Sequence, residues 1–304
     1  MKLYTIINSK GVRELAAGCP ASKGGLLVTL KSIGFDYPDM VELIAASAAG
    51  PEKGGFALAD LEAAVKAAPE SSCIPMSEVR LCAPVPNPRQ DIICLGINYM
   101  AHAEESARYK EEAFGGERPY AVYFSKRVAE AVADGGFIPS YTGLVDSLDY
   151  EVELAVVIGK AASRVSEEEA FDHIFGYTII NDVSARNLQT RHKQWYFGKS
   201  LDGFTPMGPC IVTSDEISYP PELSIRSYVN DQIRQDSSTG LLIFGISHVI
   251  SELSMGMTLQ PGTIIAMGTP SGVGMGFTPP KFLKPGDVVK CEIESIGAIT
   301  NTVK

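Results

Sequence analysis

The chain has 304 residues, of which 45% are hydrophobic and 20% are charged, a composition typical of a globular protein with a large core. The formal net charge of −10 argues against nucleic acid or an anionic membrane surface as a partner. No run approaches the roughly 20 apolar residues of a membrane span, and residues 1–10 are too polar for a secretory signal, so we expect a cytoplasmic protein.

The first part of the chain is predicted to form a small α/β domain. Three prolines at alternate positions, Pro84, Pro86 and Pro88, then fit an extended connector better than a helix or a central strand. We therefore predict a boundary near residue 83, with domains at residues 1–83 and 84–304. The predicted strands of the first domain are residues 3–7 and 25–30, and its predicted helices are residues 37–49 and 58–67.

Beyond the connector, short apolar runs alternate with glycine and proline. This spacing, with few helical stretches between the runs, predicts a β-dominated domain and not a regular βαβ sheet. The predicted strands are residues 92–95, 121–124, 152–158, 177–180, 210–213, 224–229, 263–267 and 288–293.

The cysteines are scattered and form no CxxC pair. We expect reduced residues that mostly serve packing. They are Cys19, Cys73, Cys82, Cys94, Cys210 and Cys291.

Residues 91–105 predict a strand, a turn and a helix, with Asn98 as the candidate helix cap. His102 and Glu105 are three residues apart and share a helix face. A carboxylate beside an imidazole fixes its tautomer and raises its basicity, which suits a general base that acts through water. The alternative is an ordinary surface contact between the two side chains.

Residues 106–119 are polar and charged, with two adjacent glycines and only Tyr109 and Phe114 as large apolar side chains. A packed helix would carry a broader apolar stripe, so we predict a loosely held segment. It follows His102 and Glu105 directly and could close over a bound acid, whereas the alternative is an ordinary surface loop.

Residues 150–159 are the most informative stretch, because they place two carboxylates in a segment too apolar for a solvated surface. The β-branched run predicts a strand buried on both faces. Glu151 and Glu153 then point the same way, roughly 7 Å apart. Two like charges on partly desolvated ground require a proton or a cation between them, unless they form salt bridges on an exposed face.

A third carboxylate, Asp182, ends the strand-like run that starts at residue 177. Three carboxylates from two strands suit a hard divalent cation such as Mg²⁺, Mn²⁺ or Ca²⁺. Zinc is a poorer candidate, because no helical histidine pair has the required spacing. The histidines are His102, His173, His192 and His248.

Ordered motifs from residue 91 to the carboxyl terminus resemble the fumarylacetoacetate hydrolase family. They are GINYMAH at 96–102, DYEVEL at 149–154, NDVSARNLQ at 181–189, GKSLDGF at 198–204, GTPSGVG at 268–274 and LKPGD at 283–287. The resemblance implies an α+β protein with a β-rich, barrel-like roll as its catalytic domain. It also implies a homodimer that holds a divalent metal and acts on small-molecule carboxylates.

Carried over to this sequence, the resemblance implies a role for each site residue. Glu151, Glu153 and Asp182 match metal ligands, and His102 and Glu105 match the catalytic dyad. Arg186 and Gln189 match positions that contact the substrate, while Lys199 and Thr269 match positions that steady its oxygens. A bidentate arginine clamp on a carboxylate and a lysine near a developing enolate fit these roles physically. The ordinary alternatives are that Arg186 forms an ion pair with a neighbouring acid, that Lys199 is a solvated surface lysine and that Thr269 is a turn hydroxyl.

Three reactions of 2-oxo acids fit this set of residues. We expect hydrolysis of a carbon–carbon bond in an acylpyruvate, because a His–Glu dyad is most needed when water must be activated. Decarboxylation of an oxaloacetate-like acid and tautomerisation or isomerisation of a hydroxymuconate-type dienoate place the same charge in the same position. A non-catalytic metabolite-binding protein is a further alternative, although the ionisable groups make a complete site.

Overall fold

A computed structural model describes residues 1–19, 25–111 and 119–304 of the chain. The α-helices of this part are α1 (Met40–Ala49), α2 (Leu58–Ala67), α3 (Met100–Tyr109), α4 (Arg186–Arg191), α5 (Tyr196–Lys199) and α6 (Ile246–Ser254). The strands are β1 (Lys2–Ile7), β2 (Arg13–Gly18), β3 (Leu26–Thr29), β4 (Ile74–Pro75), β5 (Arg80–Leu81), β6 (Ile92–Gly96), β7 (Val122–Lys126), β8 (Phe137–Ile138), β9 (Leu148–Asp149), β10 (Val152–Ile158), β11 (Ile174–Asn181), β12 (Ser184–Ala185), β13 (Met207–Thr213), β14 (Ser224–Val229), β15 (Gln232–Ser238), β16 (Ile264–Ala266), β17 (Val288–Ile293) and β18 (Gly297–Val303).

A long mixed sheet carries the strands that end at the site. Its order is β4-β3-β2-β1-β13-β11-β10-β16-β6-β7, with β5 paired to β1. Strand β10 is central, because it pairs antiparallel with both β11 and β16. A second sheet has the order β15-β14-β17-β18-β8, and β9 pairs with β12.

Strand β10 is buried on both faces, as its sequence predicted. Val152, Leu154 and Val156 belong to one apolar cluster, while Ala155 and Val157 belong to a second cluster on the other side of the sheet. Every residue of the strand is buried. The strand therefore holds Glu153 at the edge of a dry core.

The α+β class is confirmed by this arrangement of sheets and short helices. The long sheet has free ends at β4 and β7 in the described part of the chain, so it does not close into a barrel. Strand β1 pairs with β13, and this pairing brings the amino-terminal strands into the same sheet as β10. The domain boundary near residue 83 stays a prediction.

The expectation of six reduced cysteines was wrong for two of them. Cys19 and Cys73 form a disulfide across 54 residues of sequence, with Cα atoms 6.7 Å apart. The pairing of β3 with β2 and β4 brings the two cysteines together, which their sequence spacing did not indicate. None of the helices in the described ranges is long and apolar enough to span a membrane.

The predicted lid at residues 106–119 lies partly outside the described residues, which omit 112–118. Residues 106–109 form the end of α3, and Ser106 is fully buried. This first part is therefore a packed helix and not a loose segment. Closure by the rest of the segment stays a prediction.

Candidate functional site

Three carboxylates converge where β10 and β11 meet. Glu153 lies on β10, Glu151 precedes its first residue, and Asp182 follows the last residue of β11. The Asp182 N–H donates to the Glu151 carbonyl over 2.8 Å, which places the two residues side by side. One carboxylate oxygen from each residue lies within 4.8 Å of the others. The sequence prediction that these groups come together is confirmed by this geometry.

Buried cations contact two of these three carboxylates. Lys199 Nζ donates to Glu151 Oε2 over 2.7 Å and to Asp182 Oδ2 over 2.6 Å. Arg186 Nη2 lies 2.6 Å from Glu151 Oε1, and Lys126 Nζ lies 2.7 Å from Asp182 Oδ1. The alternative of an exposed strand face with solvated salt bridges is therefore wrong.

Lys126 was not among the site residues predicted from the sequence. It is the last residue of β7 and is fully buried, and its ammonium also donates to the carbonyls of Val183 and Lys199. The available signal was a lysine two residues after the apolar run at 121–124, in a place where an unpaired charge would be costly.

The surrounding charges set the acidity of the two glutamates in opposite directions. Burial raises the pKa of Glu153 well above its usual value, and Asp182 and Glu151 add to the rise through repulsion. Burial also raises the pKa of Glu151, but Lys199 and Arg186 outweigh it, so that this pKa lies below its ordinary value. Glu153 is thus the carboxylate that most lacks a positive partner.

A divalent cation fits this set of donors. Asp182 Oδ1 is buried and accepts no hydrogen bond, because Lys126 approaches it outside hydrogen-bond geometry. Glu153 accepts one from the Gly268 N–H over 2.9 Å. Carboxylate oxygens in a partly desolvated cluster suit Mg²⁺, Mn²⁺ or Ca²⁺. Glu151, Glu153 and Asp182 are the residues that would hold it.

The dyad forms inside the protein. His102 Nδ1 lies 3.1 Å from Glu105 Oε2, and the Gly272 N–H donates to Glu105 Oε1 over 3.0 Å. Both side chains are buried, with exposures of 4% and 6%, so the pair is not a surface contact. The carboxylate favours a proton on Nδ1, which leaves Nε2 free to exchange one. Ser106 Oγ lies 3.4 Å from Nε2.

The prediction that Asn98 caps helix α3 was wrong. The helix begins after Tyr99 without a side-chain cap. The Asn98 amide instead donates to the carbonyls of Phe244 and Met267 and accepts from the Phe244 N–H. These long-range bonds fix the turn that leads into the dyad, and a local capping pattern cannot reveal them.

Arg186 is held by three side chains of this chain. Its Nε donates to Asp149 Oδ2 over 2.9 Å, its Nη1 donates to Gln189 Oε1 over 3.0 Å, and its Nη2 contacts Glu151. The ion-pair alternative thus describes contacts that are present. Contact of Arg186 and Gln189 with a substrate stays a prediction.

Asp149 is a second residue that the sequence analysis did not single out. Besides Arg186, its carboxylate accepts the N–H groups of Gly274 and Met275 over 2.6 and 3.0 Å. It therefore connects the arginine to the glycine-rich loop, residues 272–276, that also supports Glu105. The motif DYEVEL contains this residue, but only its two glutamates were predicted to have a role in the site.

All of the predicted site residues except Glu105 and Asp182 line one narrow cavity, called here the site cavity. Thr269 lies on its wall, donating to the Val152 carbonyl and accepting from the Gln235 amide. The volume is about 10 Å³, roughly the space of one water molecule. The polar wall consists of His102, Ser106, Glu151, Glu153, Arg186, Gln189, Lys199 and Thr269, and the rest is Leu95, Gly96, Ile97, Phe124, Trp195 and Met275.

Known proteins resemble this chain both in sequence and in structure. The oxaloacetate tautomerase YisK of Bacillus subtilis (strain 168) is 49% identical over 228 residues, which cover 75% of this chain and 74% of that protein. Fumarylacetoacetate hydrolase from psychrophilic Exiguobacterium antarcticum is 34% identical, with a TM-score of 0.80 and coverage of 100% of this chain and 99% of that one.

Another solved structure holds a metal. It is maleylpyruvate hydrolase from Sphingobium sp. SYK-6 in complex with manganese (II) ion and pyruvate, with 28% identity, a TM-score of 0.75 and coverage of 100% and 98%. Residues 91–304 match the profile of the fumarylacetoacetate (FAA) hydrolase C-terminal domain. The chain therefore belongs to the fumarylacetoacetate hydrolase family.

Proposed function

We propose that this protein is a divalent-cation-dependent enzyme that interconverts the enol and keto forms of a short 2-oxo dicarboxylic acid of the oxaloacetate type. The observation that carries the proposal is a single cavity lined both by the buried carboxylates Glu151 and Glu153 and by His102 of the dyad. The 49% identity to a protein named oxaloacetate tautomerase supports this choice among the reactions of the family.

A cation held by Glu151, Glu153 and Asp182, Mg²⁺ or Mn²⁺ in this proposal, would polarise the 2-oxo acid and favour loss of a proton. The chain's own residues do the remainder. Lys199 and Arg186 supply positive charge beside the developing oxyanion, which stabilises it in a site shielded from water. Arg186, Gln189 and Thr269 are the proposed groups that orient the acid.

His102 is the proposed proton carrier. In the enol-to-keto direction the enol oxygen loses a proton and C3 gains one, so no atom enters from water. Glu105 fixes the imidazole through Nδ1, which leaves Nε2 to take up and return the proton.

Hydrolysis of an acylpyruvate is the second candidate. The oriented His102–Glu105 pair could equally activate water, and the similarity to maleylpyruvate hydrolase favours this reaction. Decarboxylation of an oxaloacetate-type acid is the third candidate, because it develops negative charge at the same position.

One set of assays separates the three reactions. Purified protein with Mn²⁺ receives the enol form of oxaloacetate, and loss of enol absorbance is followed together with keto product, read by malate dehydrogenase, and pyruvate, read by lactate dehydrogenase. The proposal predicts that the protein makes enol loss faster than in an enzyme-free Mn²⁺ control, with keto oxaloacetate as product. The rate of enol loss is expected to fall at least ~100-fold in His102→Gln. Pyruvate formed from oxaloacetate faster than in an enzyme-free Mn²⁺ control would establish decarboxylation. Pyruvate formed only when acylpyruvates are supplied in place of oxaloacetate would establish hydrolysis.

A further inference from the structure

The apolar side of the site cavity includes Trp195, the only tryptophan of the chain. Its ring packs against Phe124, with centroids 5.3 Å apart and planes at 63°. Phe124 in turn lies 5.2 Å from Lys199 Nζ, the ammonium that bonds Glu151. Phe124 therefore contacts both the indole and Lys199, one of the charged groups of the site.

Gly96 makes room for this indole. A Cβ atom at position 96 would lie 2.1 and 2.6 Å from two atoms of the Trp195 ring. The tryptophan thus occupies the space that a side chain from the last residue of β6 would need. The position of the ring is set by close packing against the strand that ends beside the dyad.

Trp195 is also one of the less buried residues of the cavity wall. Leu95, Ile97 and Met275 are buried, with exposures of 2%, 7% and 2%, whereas Trp195 is half-buried and residues 191–194 are exposed. It directly precedes α5, and its carbonyl accepts the Lys199 N–H over 3.2 Å. The indole therefore lies where the site cavity approaches solvent.

We propose that Trp195 sets the upper limit on substrate length by closing the apolar side of the site cavity. This rests on the proposed function for the 2-oxo acid class and adds a limit on the length of the tail beyond the 2-oxo group. Lys199 Nζ contacts both Glu151 and the Phe124 ring, and Phe124 packs on Trp195, so these two rings lie beside an acid held at the carboxylates. A longer tail must displace the indole, whereas a short tail need not.

Calorimetry tests the proposal without turnover. Pyruvate and 2-oxohexanoate share one head group and differ by three methylenes, and each is titrated into Mn²⁺-loaded wild type, Trp195→Ala and Tyr196→Ala. Tyr196 is the neighbouring exposed aromatic residue and does not line the site cavity, so its variant is the matched control. We expect the ratio of 2-oxohexanoate affinity to pyruvate affinity to rise at least ~10-fold in Trp195→Ala and to stay constant in Tyr196→Ala.

The tryptophan emission of the wild type gives a readout that needs no variant. A saturating amount of 2-oxohexanoate is expected to shift the emission to longer wavelength and increase acrylamide quenching, while pyruvate leaves both unchanged. The proposal is overturned by an unchanged affinity ratio in a folded Trp195→Ala variant, or by unaltered emission when calorimetry shows 2-oxohexanoate saturation. Because neither readout depends on catalysis, a failure to turn over oxaloacetate would contradict the proposed function alone.

Discussion

The three carboxylates of the site differ in how they are paired. Glu151 contacts Lys199 and Arg186, and Asp182 contacts Lys199 and Lys126. Within the described ranges, Glu153 has no cation at ion-pair distance. Its negative charge is thus the least compensated in the cluster, which agrees with the raised pKa of Glu153.

Replacement of Glu153 by Gln should stabilise the metal-free protein while it weakens cation binding. The change removes one buried like charge and keeps an oxygen for the Gly268 N–H. We expect the free energy of unfolding to rise by about 1 kcal/mol or more. Glu151→Gln is the matched control with the opposite sign, because it leaves Lys199 and Arg186 short of a partner. Urea unfolding and Mn²⁺ calorimetry measure both effects, and a destabilised Glu153→Gln protein would contradict the charge argument.

The same carboxyl gives a pH dependence. Because its folded-state pKa is raised, its contribution to stability is greatest below the unfolded value of about 4.3 and is lost as pH rises through the folded pKa. A cation must displace this proton, so Mn²⁺ affinity should weaken as pH falls toward the folded pKa. Calorimetry across pH should show this slope in the wild type and a shallower slope in Glu153→Gln, and equal slopes would contradict the assignment.

Lys126 is predicted to be essential for folding at this end of the sheet. Lys126→Met leaves Asp182 with one cation fewer and leaves the Val183 and Lys199 carbonyls without its ammonium. Breaking a buried pair in this way should cost about 3–5 kcal/mol, measured by urea unfolding. The control Lys31→Met removes an exposed ion pair with Asp36 and should cost less than about 1 kcal/mol. Equal effects of the two substitutions would refute the role of Lys126.

At the scale of elements, the glycine-rich loop and helix α3 hold the dyad between them. The Gly272 N–H supports Glu105, and Gly276 packs so closely that a Cβ there would lie 1.8 Å from Glu105 Oε1. The loop itself is fixed by Asp149. The orientation of His102 thus depends on a loop about 170 residues further along the chain.

Gly276→Ala should therefore displace the Glu105 carboxylate. We expect activity to fall about 10-fold to 100-fold with Mn²⁺ affinity unchanged, because the three metal-site carboxylates are not touched. Gly256→Ala is the matched control, since a Cβ at that position would meet nothing within 4 Å. An active Gly276→Ala enzyme with wild-type pH dependence would show that Glu105 need not be fixed.

The sequence predicted elements well where hydrophobicity and spacing act locally. Strands 152–158, 224–229 and 288–293 have the predicted bounds, because continuous or alternating apolar residues define them. The Asn98 cap was wrong, and Lys126, Asp149 and Trp195 were missed, because their partners are distant in sequence. Such contacts depend on how the sheet is assembled, which no short pattern encodes.

At the scale of the whole molecule, the family and the α+β fold could be predicted from ordered motifs over residues 91–304, and the comparisons confirm both. The open sheet edges and the Cys19–Cys73 pair could not, because they follow from the arrangement of β2, β3 and β4. The homodimer remains an expectation from the resemblance. Light scattering should give about twice the chain mass of 32.6 kDa, and a monomer at micromolar concentration would contradict it.

The central claim is that Glu151, Glu153 and Asp182 form a cation site required for 2-oxo acid chemistry. The most direct measurement is the rate of oxaloacetate enol loss in one preparation with Mn²⁺, with excess chelator, and after Mn²⁺ is restored, run in parallel with folded Asp182→Asn. The account predicts loss of enzymatic rate with chelator, recovery with Mn²⁺, and little rate in Asp182→Asn under any condition. Full activity in excess chelator, or wild-type activity of Asp182→Asn, would contradict it.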